Sequence, residues 1–371
     1  MFQLPFMDEL RSLVASSAID DATDRLNSFA TAFLLIFFAV FISAKTYVGE
    51  PIQCWFPSQF EHDWKEYSET LCFVQKTHFI RDTSPLNNLI HVENPDNHVT
   101  YYQWSAIFLT LMSLGFIAPK LIWKKAQSKF DIPLLYFCET AAEIKMKSSI
   151  EIAEKVREMG NYMKSKLTNR DREMKTKSRL AYTYLVIKLL YVLNILSQLT
   201  LVSFFLGHNA NLFWGIDIMT NLVGNVTWSD TGIFPRITFC HFTIRTPIIQ
   251  HHVVQCVLAV NEFNEKIFAF LWVWLILVGI ATLIGMVIVL LRLLNYGFIN
   301  DLLLDTPKKE IVSEFANYLG KDGLLVLLFV SSQSDVVASD LTMFMFDAFL
   351  KSHLEKIAEI EKKEKLAILN V

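Results

Sequence analysis

Glycine is scarce in this chain, with 12 among 371 residues, and none of them builds a Gly-rich phosphate loop. The G-x-G-x-x-G, H-E-x-x-H and G-x-S-x-G patterns of dinucleotide, zinc-protease and serine-hydrolase chemistry are all missing. The sequence therefore offers no catalytic residue, metal or cofactor, and the expectation is a protein that is not an enzyme. A dominant charge is missing too. The 34 Lys and Arg against 37 Asp and Glu leave a net of -3, without the basic excess that nucleic-acid binding demands. A cleaved secretory signal is not expected either. Asp8, Glu9 and Arg11 open a polar stretch that reaches Asn27, where a signal would have a basic start and a short apolar run.

Apolar residues are abundant: 53% are hydrophobic and 13% aromatic, with a mean hydropathy of +0.34. That excess needs lipid or a very large core. Crossing about 30 Å of hydrocarbon takes roughly 20 helical residues. Four uncharged runs are long enough: residues 26–44, 99–119, 189–207 and 267–291. A fifth apolar run, residues 323–334, has 12 residues between Asp322 and Asp335. It is too short to span and is expected as a buried core or interfacial segment.

Four spans put both termini on one side, and the charges say which. Residues 1–28, 120–180 and 292–371 carry two, fifteen and nine Lys or Arg, whereas loops 49–98 and 208–266 hold three each. By the positive-inside rule the termini and middle loop are expected to be cytoplasmic. The expected organisation is an N-terminal segment (1–28), first span (29–48), outer loop (49–98), second span (99–123), cytoplasmic loop (124–180), third span (181–207), outer loop (208–266), fourth span (267–292) and helical C-terminal region (293–371). Tyr101, Tyr102 and Trp104 at one end of the second span and Trp123 at the other read as interfacial aromatics. Lys45 and Lys188 lie within a turn or two of span ends, where snorkelling to water is expected. Asn194, Ser197 and Gln198 share a face of the third span, and Ala281 with Gly285 forms a small-xxx-small pair in the fourth. Both read as helix-packing devices. The cytoplasmic loop, rich in both charges, reads as solvated helices near anionic lipid.

Five cysteines follow this topology. Cys54 and Cys72 fall in the first outer loop, Cys240 and Cys256 in the second, and Cys138 alone in the cytoplasmic loop. Outer pairs oxidise and persist, whereas a lone cytosolic thiol stays reduced. Four cysteines allow three connectivities. Bridges between the loops would fuse two long excursions into one rigid outer domain. Zinc is the competing reading, helped by His241, His251 and His252, but neither pair has the short Cys-x2-4-Cys knuckle. Asn225-Val226-Thr227 is a glycosylation sequon on the outer side.

Several ordered motifs carry a resemblance: Asp24-Arg25-Leu26-Asn27, Pro51-Ile52-Gln53-Cys54-Trp55, Tyr101-Tyr102-Gln103-Trp104, Phe234-Pro235-Arg236, Gln255-Cys256-Val257-Leu258, and Asn261 through Phe268. In these the chain resembles the innexins, the invertebrate gap-junction proteins related to pannexins. Ser105 stands where the family signature continues with Val. The resemblance implies an all-α membrane protomer of four transmembrane helices, with a disulfide-tied extracellular domain and a helical cytoplasmic domain, ringing a central pore. It implies homo- or hetero-oligomers, octameric in the innexin-like case, that dock with a hemichannel on the adjacent cell. It also implies nested bridges, Cys54 to Cys256 and Cys72 to Cys240. By the same analogy the N-terminus folds toward the pore, so that Phe2, Gln3, Leu4, Asp8 and Glu9 become pore-lining candidates whose carboxylates would favour cations. A solvated cap helix is the alternative for this segment.

Three functions then compete. They are a plasma-membrane gap-junction channel, a non-junctional hemichannel releasing ions and small metabolites, and a four-span adhesion or scaffold protein.

Overall fold

The computed structural model describes residues 18–75, 77–78, 98–172, 178–207, 213–216, 220, 233–245, 249–295, 297–303 and 309–369. In chain order its elements are α1 (Ala22–Tyr47), β1 (Gln53–Cys54), α2 (His62–Val74), β2 (Thr77–His78), β3 (His98–Val99) and a 3-10 turn at Tyr101–Gln103. They continue with α3 (Ser105–Gln127), α4 (Leu134–Ile144), α5 (Ser149–Arg172), α6 (Arg179–Leu206), β4 (Ile237–Arg245) and β5 (Ile249–Val257). The last are α7 (Ala259–Leu294), α8 (Gly297–Leu302), α9 (Lys309–Gln333) and α10 (Asp335–Leu369). Among the described residues, four helices are long and apolar enough to cross a membrane: α1, α3, α6 and α7, with mean hydropathies of 2.1, 1.8, 1.9 and 2.8. The fold is mostly helical and four-spanning.

Span boundaries differ from the expected ones. The second span moves from 99–123 to 105–127, because Val99 pairs with Thr77 in the sheet and the chain turns through Tyr101–Gln103 before the helix begins. The fourth helix starts at Ala259 rather than Ile267, since its first turns carry the polar residues Asn261, Asn264 and Glu265. Inside α1, residues Leu26–Thr31 form a π-turn. Such a bulge commonly marks a helix that has re-aimed side chains for a specific contact.

The chain divides into two compact units. One comprises Ala30–Ile117 and Leu193–Ile280. It holds a five-stranded antiparallel sheet in the order β1-β5-β4-β2-β3, an addition to the helical fold read from sequence. Along β4, Thr238, Cys240 and Phe242 are buried while Ile237, His241 and Thr243 face out, the period of two that a half-buried strand requires. Helix α2 packs against β4 and β1, burying Ser68 and Cys72, which stand four residues apart on one face. Phe108 and Phe205 stack with centroids 4.0 Å apart, tying α3 to α6. In the same unit the Gln198 amide packs where a side chain on Gly115 would stand. Gln198 therefore joins α6 to α3 within one chain, while Ser197 is exposed.

The other unit comprises Met1–Phe29, Ala118–Val192 and Ala281–Val371. Its core gathers Phe137, Cys138 and Ala141 of α4, Met159 and Met163 of α5, the apolar half of α9, and Val337, Ala338, Leu341, Met345 and Phe349 of α10. The short apolar run sits at its centre, where residues 323–330 are all buried. Gly320 makes this possible. Its φ of 68° breaks α9 in the left-handed region that glycine enters freely, so an amphipathic first half that buries Val312, Phe315, Ala316 and Leu319 is followed by an apolar second half on a new axis. Burial pushes the Cys138 thiol up to about 12, making it an inert structural residue.

Candidate functional site

Two disulfides organise the sheet. Cys54 pairs with Cys256 and Cys72 with Cys240, across sequence separations of 202 and 168. Cys54 and Cys256 are register partners on adjacent strands β1 and β5, and the second bridge clamps α2 onto β4. The sulfurs of Cys54, Cys72 and Cys256 lie within 4.8 Å of one another. All are consumed in the bridges, which leaves no thiolate for zinc. His241 and His251 point out of the sheet, and His252 packs edge-on against Phe60.

Tyr101-Tyr102-Gln103 is the joint that connects this domain to α3. The Tyr102 hydroxyl donates to the Phe73 carbonyl at 3.2 Å, and the Gln103 amide donates to the Phe73 and Val74 carbonyls at 2.6 and 3.1 Å. These are end-of-helix carbonyls of α2, which have no partner within the helix. The Tyr101 hydroxyl donates at 2.9 Å to the Ile233 carbonyl and faces Oδ1 of Asn261 at the same distance. Asn261 in turn donates to the Pro235 carbonyl at 2.9 Å, and Arg236 pairs with Glu265 at 2.8 Å. Three consecutive residues thus hold the end of α2, the approach to β4 and the start of α7. Trp104 is exposed and belongs to none of these contacts.

The second constellation anchors the start of α1. The Lys188 ammonium lies 2.8 Å from Asp24 Oδ1, 2.8 Å from Thr23 Oγ1 and 3.2 Å from Asp21 Oδ2. Three acceptors match its three donors. The Tyr184 hydroxyl donates to the other Asp24 oxygen at 2.9 Å, and Ser28 donates to the Asp24 carbonyl at 2.8 Å. Asp20 pairs with Lys120 at 3.3 Å, both buried. Asn27 donates at 2.8 Å to the Thr23 carbonyl and to Thr282 on α7. A side chain on Gly285 would come within 2.7 Å of Thr23, so α7 approaches this anchor through its bare backbone. The peptide just before α1 is held as well, by Trp123 and Gln333 donating to the carbonyls of Ile19 and Ala18 at 3.3 and 2.9 Å.

Snorkelling at Lys188 is overturned. Its side chain is 0% exposed, because the first turn of α1 supplies the acceptors that water would otherwise supply. Sequence carried the signal in separate pieces, as acids at 20, 21 and 24 and a lone lysine at 188 inside an apolar run. A basic residue buried in a span needs such a partner. Lys45 is half-buried, 5.5 Å from the Phe263 ring. Phe2, Gln3, Leu4, Asp8 and Glu9 lie outside the described residues, as does Asn225.

A family model described as Innexin matches residues 20–349. Innexin-8 of Caenorhabditis elegans is 39% identical over 362 residues, covering 95% of this chain and 95% of that protein. Innexin-11 of the same organism is 33% identical over 374 residues, covering 89% and 79%. Innexin unc-9 is 33% identical over 284 residues, covering 71% and 72%. The match runs from the buried Asp20 through the bridged sheet and the Tyr101–Gln103 joint to α10, and this chain belongs to the innexin family.

Proposed function

We propose that this chain is a gap-junction channel subunit of the plasma membrane. The observation that carries the reading is the fusion of two distant segments, residues 53–78 and 237–257, into one doubly bridged sheet inside an innexin chain. A rigid outer domain offers a preformed surface for a second hemichannel and avoids the entropy cost of ordering loops on contact. The excess of Lys and Arg in residues 120–180 and 292–371 supports cytoplasmic termini, with the sheet outside. Four spans are too few to enclose a wide pore, so the conducting unit is a homo- or hetero-oligomeric ring, octameric by analogy with the family.

Ions and small molecules are the cargo. The protein acts as a channel and not as an enzyme, and its partners are innexin-like subunits, a hemichannel on the adjacent cell and membrane lipid, with no nucleic acid. By analogy with the family, the N-terminal residues Phe2, Gln3, Leu4, Asp8 and Glu9 belong near the constriction. Reversal potentials of Asp8→Asn and Glu9→Gln test that placement, and an unchanged cation preference argues against it. Dual patch-clamp of paired cells expressing the chain tests the main reading. Junctional current supports it, current confined to single cells favours a release hemichannel, and surface protein without current favours adhesion.

A further inference from the structure

Two cavities at the end of α7 share a wall. The smaller, about 260 Å³, has apolar walls from Ile288, Val289, Leu328 and Phe329. The larger, about 790 Å³, is lined by Asp301, Asp335 and Asp340 together with Ser331 and Ser339. Arg292 and Ser332 line both. Arg292 stands exposed in the last turn of α7, as Asp301, Asp335 and Asp340 are exposed, and has no carboxylate in ion-pair reach among the described residues. Its guanidinium lies over the Phe298 ring, 5.4 Å from the centroid. The carboxylate nearest the smaller cavity, Asp21, is already met by Lys188 at 3.2 Å.

We propose that these two adjacent cavities bind one zwitterionic phospholipid. Its acyl chain lies against Ile288 and Leu328, its phosphate sits on Arg292 beside Ser332, and its ammonium headgroup faces Asp301, Asp335 and Asp340. The order of chemistry is what selects the ligand. A guanidinium at the shared wall suits a phosphodiester, with Ser332 beside it, its hydroxyl donating to the Phe329 carbonyl at 2.7 Å. The three carboxylates beyond it suit a cation and penalise a headgroup with net negative charge. The level is right for a lipid as well. Arg292 closes a helix of membrane-spanning length, where polar headgroups begin. Ile284, Ile288 and Leu291 leave an exposed apolar strip leading up to the cavity.

The site is independent of whether paired cells couple, so its test uses purified protein. Full-length protein in detergent is titrated with phosphatidylcholine and, separately, phosphatidylglycerol, and bound lipid is counted by native mass spectrometry. Wild type is expected to retain phosphatidylcholine in preference. Arg292→Gln should weaken it by about tenfold or more, the size of one charge-assisted bond lost. Asp335→Asn with Asp340→Asn should shift preference toward phosphatidylglycerol. Ser332→Trp, which fills the shared wall, provides a second reading if Arg292→Gln does not yield assembled particles. Wild type binding both lipids equally, or Arg292→Gln or an assembled Ser332→Trp binding phosphatidylcholine as wild type does, would overturn the proposal.

Discussion

Lys188 Nζ and Asp24 Oδ1 are 2.8 Å apart with side chains 0% and 3% exposed, which makes the pair a buried link between the third span and the first turn of α1. A buried pair of this kind adds little against an apolar replacement, but breaking it strands a charge. Its effect is to fix the first turn of α1 against α6.

Losing one partner should therefore cost much more than losing both. Lys188→Met or Asp24→Leu alone is expected to destabilise the protein by about 3–5 kcal/mol, and the double variant by clearly less than the two singles combined. Thermal melting of the purified oligomer, followed by size-exclusion chromatography with fluorescence detection, reads this directly. Strictly additive losses would show that the two residues act separately.

Tyr101→Phe removes one hydroxyl and leaves the Ile233 carbonyl without that donor. The expected cost is about 1–3 kcal/mol, concentrated where β4 is approached and α7 begins. Hydrogen exchange should show faster exchange in residues 233–240 and 258–264, with α9 unaffected. Uniform change across the chain would mean that the joint is not local.

Each bridge closes a loop of well over a hundred residues. On the chain-entropy account such a closure is worth about 4–5 kcal/mol. Cys72→Ser and Cys240→Ser should each loosen α2 from β4, and the double variant should resemble either single. Limited proteolysis of intact cells is the assay, with cleavage expected in residues 62–75. Resistance equal to wild type would remove the bridge from the account.

Cys138 titrates at about 12 in the fold against an ordinary 9.0. Burial is the main cause, helped by the nearby Glu139 carboxylate. The folded state favours the neutral thiol, so this contribution is whole below pH 9.0 and is lost as pH rises toward 12. Iodoacetamide at pH 7.5 should leave Cys138 unmodified in native protein and label it after denaturation, as read by peptide mass. Rapid native labelling would contradict its burial.

The spans were legible because a bilayer imposes length and apolarity at once, and no other environment rewards both. The run at residues 323–334 was read by the same rule as too short to cross, a core or interfacial segment, and residues 323–330 of it are buried in the core. The sheet was not legible in the same way. Strands β1, β2 and β3 have two residues each, too few to show alternation. β1 is held on the edge of β5 by its own bridge, whereas β2 pairs with β4 and β3 with β2. Val99 looks like the start of a span from its neighbours but pairs with Thr77, since a ladder partner outweighs local hydropathy at a helix edge. At Lys188 the residue was visible and its environment was not, because Asp24 is 164 positions away in the chain.

The central claim is that the bridged sheet docks one channel onto another. Dual whole-cell recording from cell pairs, with surface expression measured in the same cells, tests it most directly. Wild type should give junctional current, and Cys72→Ser should abolish that current while still reaching the surface. Full junctional current in Cys72→Ser, or none in wild type that is present at the surface of both cells, would contradict the account.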